Sequence, residues 1–160
     1  MSLFEAARWA PSSFNEQPWR FVYAERGSRA WPGFLELLTE GNRSWAQRAG
    51  ALIVVLSRTT FSRSGRPAPT HSFDTGAAWQ NLALQGTRLR LVIHGMAGFD
   101  HDRARTVVGA PQAFAVEAMI AVGRPGPAEV LPERLRAMER PSGRKPVAGF
   151  AFPGAFPPGA

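Results

Sequence analysis

The chain's apolar positions change period several times, and each change marks an element. Leu3, Phe4, Ala7 and Ala10 recur at helical spacing, and Ser2 with Glu5 has the spacing of a capping box. That helix must stop before Pro11, since proline lacks a backbone donor and restricts the residue before it. Trp19 to Ala24 alternates aromatic and β-branched residues and predicts a strand. Ser28 to Thr39 predicts a helix with Pro32 in its first turn and Trp31, Phe34, Leu35 and Leu38 on one stripe. Asn42 then caps a short helix to Ala49. Ala51-Leu52-Ile53-Val54-Val55-Leu56 is continuously apolar, as expected of a strand covered on both faces at the centre of a sheet.

Residues 57–70 are polar and broken by Pro67 and Pro69, and a mobile connection is expected there. A long helix follows from Ser72 to about Leu89, with Gly76, Ala77 and Ala83 small enough for close approach, either to a partner copy or within one chain. Leu91-Val92-Ile93 opens a strand that ends in Gly95-Met96-Ala97-Gly98. Asp100 caps a helix to Val108, Phe114 to Val122 is a strand, and Pro132 to Met138 is a last short helix. Residues 139–160 carry Phe150, Phe152 and Phe156 without a period. The order of elements predicts one domain over residues 1–160, a sheet layered by helices with an extended tail.

Composition narrows the function classes. None of the 160 residues is cysteine, which excludes disulfides, thiolate metal sites and cysteine nucleophiles. The formal charge is +7, but Lys145 is the single lysine and the arginines are scattered from Arg8 to Arg144. Nucleic-acid binders concentrate basic residues on one face or tail, so nucleic acid is not the expected partner. No leader and no apolar run of membrane-spanning length is read in the sequence, and a cytoplasmic protein is expected.

The most informative stretch is Trp9-Ala10-Pro11-Ser12-Ser13-Phe14-Asn15-Glu16-Gln17-Pro18-Trp19. Two prolines make it a stiff loop that displays short hydrogen-bonding groups beside aromatic surface, fit either for a planar polar ligand or for a purely structural turn. The other chemistry is thinner. His71, His94 and His101 fall in three elements without metal-ligand spacing, and no metal site is expected. No Gly-x-Ser-x-Gly elbow or serine–histidine pairing is read, and no Gly-x-Gly-x-x-Gly follows a strand. Arg144-Lys145 could meet a phosphate or simply be solvated.

Taken in order, residues 6–19, Gly41-Asn42-Arg43-Ser44-Trp45, residues 71–100 and Gly143-Arg144-Lys145-Pro146 resemble the FMN-dependent nitroreductase family over nearly the whole chain. The resemblance implies an α+β fold: a three-layer sandwich with a central mixed sheet flanked by helices, and a tail over 139–160 packing on a partner subunit. It implies a homodimer with FMN at each subunit boundary, NADH or NADPH as reductant, and a nitroaromatic, quinone or similar acceptor. By position, Pro11, Ser12, Ser13, Asn15 and Gln17 are similar to the loop that meets the flavin from one subunit. Asn42 resembles the asparagine on the pyrimidine edge, Ala97 and Gly98 the strand-end pair whose amides lie near N5, and Arg144 and Lys145 the phosphate ligands. Phe14 and Trp45 are expected on the substrate side. No dedicated catalytic acid or base is implied, because the cofactor carries the chemistry.

Three departures accompany the resemblance. Trp45 stands where many members place a lysine, and Leu89-Arg90-Leu91 replaces the usual helix-ending Gly-Leu. The family's arginine-rich segment ahead of the first helix has no counterpart before Met1, so an amino-terminally short member is expected. The alternative expectation is a dimer of this fold with weakened or lost FMN binding and no catalysis.

Overall fold

The computed structural model describes residues 1–157. Residues 1–125 form one compact unit and the chain from residue 126 a second, where the sequence predicts a single domain with a tail from residue 139. In the first unit the elements are α1 (Ser2–Arg8), β1 (Trp19–Glu25), α2 (Trp31–Leu35), α3 (Glu40–Ala46), β2 (Ala51–Arg58), α4 (His71–Arg88), β3 (Val92–Met96), α5 (His101–Val107) and β4 (Phe114–Gly123).

The four strands run in the order β1-β2-β4-β3. Every pairing is antiparallel, so the sheet is not the mixed one expected. The continuous apolar run makes β2, an inner strand, and helices cover both faces. On one face Leu52, Val54, Leu56, Met119 and Ala121 meet Trp31, Phe34, Leu37, Leu38, Ala46 and Ala104 from the segments around α2, α3 and α5. On the other, Ile53, Val55, Ile120 and Val122 meet Ala7 of α1 and Ala78 and Leu82 of α4. The α+β three-layer architecture therefore follows from the alternation of β2 and β4 between two cores.

One irregularity breaks the register of β2 and β4. Val55 pairs with Ala118 and Leu56 with Val116, so Glu117 is an extra residue without a partner on β2. Such a bulge reverses the alternation of the strand beyond it. Met119 and Ala121 face the α2–α3–α5 core, and strict alternation would send Glu117 there too. Instead Val116 and Phe114 take that core, and Glu117 turns to the α4 side.

Several local expectations are corrected. Ser2 makes no capping bond; the carboxylate of Glu5 accepts instead from Arg8 and from Trp9 Nε1 at 3.0 Å. Those donors, Arg8 first, hold the Glu5 carboxyl below the ordinary carboxylate range. The helix predicted over 28–39 is regular only from Trp31 to Leu35, and α3 starts at Glu40 with Thr39 before it, which leaves Asn42 inside the helix rather than capping it. Asp100 does cap α5, accepting from the Arg103 N–H at 2.9 Å. Residues 57–70 are tied by hydrogen bonds: Phe61 N–H donates to Arg66, Ala68 N–H to Thr59, and the Ser62 N–H to Glu16 at 2.8 Å.

The exit of α4 keeps its shape without glycine. Arg90 has φ +55, Arg90 N–H donates to Thr87 at 3.0 Å and Leu91 N–H to Gly86 at 2.9 Å. This is the paired bonding of a Schellman turn with arginine in the left-handed position. Gly86 itself is required by packing, since a Cβ there would overlap the side chain of Ile93.

In the second unit a 3₁₀ turn at Ala128–Val130 precedes α6 (Glu133–Arg136), and another turn covers Val147–Gly149. Phe152 and Phe156 make an edge-on ring contact at 5.2 Å.

Candidate functional site

Two groups of the singled-out residues are each brought together by the first unit. The first is the loop between α1 and β1. Phe14, Asn15 and Gln17 have φ of +52, +55 and +52, three non-glycine residues in the left-handed region within four positions. Such conformations cost free energy and persist where the surroundings over-determine them. Here they do. The carboxylate of Asp74, buried in the first turns of α4, accepts from the Ser13 N–H at 3.0 Å and from Thr70 Oγ1 at 3.1 Å. Ser12 Oγ accepts from the Gln17 N–H at 3.0 Å, Gln17 Nε2 donates to the Asn15 carbonyl at 3.1 Å, and Arg20 donates to the Gln17 carbonyl at 3.0 Å. Glu16 holds Ser62 of the following connection. The result is a stiff loop with Pro11, Phe14 and Asn15 turned to solvent; Phe14 is 92% exposed and makes an edge-on ring contact with Phe61 at 5.7 Å.

The second group joins α3 to the end of β3. The Gly98 carbonyl accepts from Asn42 Nδ2 at 3.0 Å, from Thr39 Oγ1 at 3.1 Å and from the Thr39 N–H at 3.1 Å. Only glycine fits, because a Cβ at position 98 would stand 2.7 Å from Asn42 Nδ2 and 3.0 Å from Thr39 Oγ1. With Nδ2 committed to Gly98, the Asn42 Oδ1 acceptor is left for another donor. Ala97 is exposed beside it. Trp45, one turn along α3, packs against the core with its ring edge on His94 at 4.7 Å. Among the described residues no hydrogen bond or ring contact links this group to the loop at 11–17.

Arg144 and Lys145 belong to the second unit. The Arg144 guanidinium folds back on its own segment, donating to Ser142 Oγ at 2.7 Å and to the Gly143 carbonyl at 3.0 Å.

The sequence reading missed Thr39, Asp74 and a third cluster. Ser57 at the end of β2, His71 and Ser72 at the start of α4, and the bulged Glu117 meet on the α4 side of the sheet. His71 Nδ1 lies 2.7 Å from Ser57 Oγ and 3.5 Å from Glu117 Oε1, and Ser72 Oγ donates to Glu117 Oε1 at 2.7 Å. Ser57 Oγ also donates to Glu117 Oε1. A serine–histidine pair therefore does exist, contrary to expectation. It is not an acyl-transfer triad, because both the serine and the carboxylate sit on the same ring nitrogen and Ser57 is fully buried. Asp74 was the more legible of these, as the acidic residue in the first turn of the longest helix.

The model of the Nitroreductase family matches residues 1–40. A solved oxidoreductase containing FMN is 47% identical, with a TM-score of 0.94 over 98% of this chain and 80% of that one. An uncharacterized 15.4 kDa protein of Mycolicibacterium smegmatis is 30% identical over 146 residues, 86% of this chain and 97% of the other. A protein of Rhodopseudomonas palustris, named a candidate NADH dehydrogenase/NAD(P)H nitroreductase, is 29% identical over 119 residues, 62% of this chain and 60% of its own length.

Proposed function

The chain belongs to the nitroreductase family of oxidoreductases, and from that premise we propose that it is an FMN-dependent homodimer that passes hydride from NADH or NADPH to a quinone, nitroaromatic or similar acceptor. The single observation that carries the reading is the contact between Asn42 and Gly98. These residues, 56 positions apart, are the ones the family resemblance assigns to one flavin ring, and they are hydrogen-bonded at 3.0 Å. The polar groups suit such a ligand: an Asn42 amide oxygen without a partner among the described residues and an exposed strand end at Ala97 offer short-range polar contacts to a planar heterocycle.

In this reading Pro11, Ser12, Ser13, Asn15 and Gln17 hold the flavin from one subunit, and Asn42, Ala97 and Gly98 from the other. Arg144 and Lys145 hold its phosphate, with arginine's planar fork suited to that group. Phe14 of one subunit and Trp45 of the other wall the acceptor side. FMN, when bound, supplies the two-electron chemistry; the protein orients it, keeps water out and fixes the hydrogen bonds around the ring. The dimer is supported by α4, whose outward stripe carries Phe73 at 82% and Leu84 at 57% exposure beside Gly76. Apolar side chains of that size, aligned at helical spacing on an open face, suit burial against a second copy.

The test is a flavin titration followed by bleaching. The purified protein is expected to quench FMN fluorescence saturably and, once loaded, to lose the visible absorbance of oxidised flavin on adding NADH or NADPH. Asn15→Ala should weaken flavin binding by roughly tenfold, the equivalent of one lost hydrogen bond of about 1.4 kcal/mol. A colourless protein with no saturable titration would reject the proposal.

A further inference from the structure

Proton positions in the Ser57–His71–Ser72–Glu117 cluster can be assigned by counting. Each serine hydroxyl has one hydrogen, and both are directed at Glu117 Oε1. The contacts of Ser57 Oγ at 2.7 Å and Ser72 Oγ at 3.2 Å with His71 Nδ1 then need their hydrogen from the ring. Against an ionised Glu117, His71 is therefore the Nδ1–H form, and the opposite tautomer would set two lone pairs against each other. Among the described residues nothing bonds Nε2, and the His71 side chain is 23% exposed. The ring is anchored on one nitrogen and open on the other.

This arrangement is built rather than incidental. Glu117 reaches the cluster only because it is the bulged residue of β4, and bulges of this kind re-aim single side chains beside functional sites. Ser57, the centre of the cluster, is fully buried on β2, the inner strand beside β4. Glu117 and Ser57 hold the ring as the carboxylate does in a hydrolase triad, fixing its tautomer and orientation, but without a nucleophile opposite. The neighbourhood is that of the flavin loop: Trp19, which ends the loop, pairs with Ser57, and Thr70 next to His71 shares Asp74 with the Ser13 N–H.

The geometry points to His71 Nε2 as a proton-donating site for the electron acceptor. This rests on the flavin reading above. Reduction of a quinone carbonyl or a nitro oxygen takes a hydride, whose source is the reduced flavin, and a proton. The Nε2–H bond of the imidazolium breaks, an O–H bond forms on the acceptor, and the ring returns to neutral and is reprotonated from water. The titratable groups around the ring are Glu117 from the sheet and, one turn along α4, Asp74, whose carboxylate is occupied by Ser13 and Thr70.

Two measurements test it. In ¹⁵N spectra of the whole protein, neutral His71 should show a protonated Nδ1 and a bare Nε2; a protonated Nε2 in the neutral ring would overturn the assignment. His71→Asn keeps a donor where Nδ1 lies and removes Nε2. With flavin pre-reduced by dithionite and mixed with a quinone, the wild type should reoxidise more slowly as pH rises. H71N should bind FMN within about threefold of the wild type, reoxidise about 100-fold more slowly and lose that pH limb. Reoxidation within twofold of the wild type, with the same pH profile, overturns the proton site while leaving the flavin reading intact. A wild-type protein that takes up no flavin overturns that reading, and proton delivery with it, whatever tautomer the ring shows.

Discussion

Arg90 occupies a position that helices usually give to glycine. Its φ of +55 lets the amides of Arg90 and Leu91 close the end of α4, and its side chain is exposed. A left-handed residue with a Cβ costs about 1–2 kcal/mol relative to the right-handed form. Arg90→Gly is therefore expected to raise stability by about 1 kcal/mol, read from the urea midpoint at unchanged slope. Gly98 is the opposite case, where glycine is demanded by side chains rather than by φ. Neither assignment could be read from the sequence with its reason attached. The resemblance marked Gly98 as a site residue, but the three donors on its carbonyl come from Thr39 and Asn42, nearly sixty positions away.

Among the elements, α4 carries the most consequence, because its first turns restrain a loop that strains against them. Asp74→Ala would leave the Ser13 N–H and the Thr70 hydroxyl without their acceptor. The expected loss is about 1–3 kcal/mol of stability, seen as a lower thermal midpoint, together with weaker flavin uptake than a comparably destabilised core variant shows. The elements differed in legibility for physical reasons. β2 was plain because six consecutive apolar residues have few other homes, and α5 because Asp100 offered a cap that nothing competed for. The Ser2–Glu5 box failed because Arg8 and Trp9 bid more strongly for the same carboxylate. The His71 cluster was hidden altogether. It depends on one extra residue in β4, and alternation read along the sequence would have put Glu117 on the other face.

At the scale of the first unit, the sheet order determines which parts of the chain depend on which. Strand direction was not legible in the pattern: the family resemblance implied a mixed sheet, yet all three pairings are antiparallel. The reason is β4. It inserts between β2 and β3, strands that lie earlier in the chain, and turns what would be a parallel neighbour pair into two antiparallel ones. A chain ending at residue 113 would keep every helix of the first unit and both edge strands but lack this one. It should show no cooperative unfolding transition by circular dichroism, since Met119, Ile120, Ala121 and Val122 contribute to both cores.

The same insertion sets a schedule for synthesis. While the ribosome is still adding residues 59–113, β1 and β2 can already pair, but the other edge of β2 must wait for β4. That edge, Leu52 to Leu56, is apolar on both faces and is the kind of segment that recruits foreign strands. Until β4 arrives, the nascent chain carries its greatest aggregation hazard in the strand that later becomes the best-protected part of the molecule.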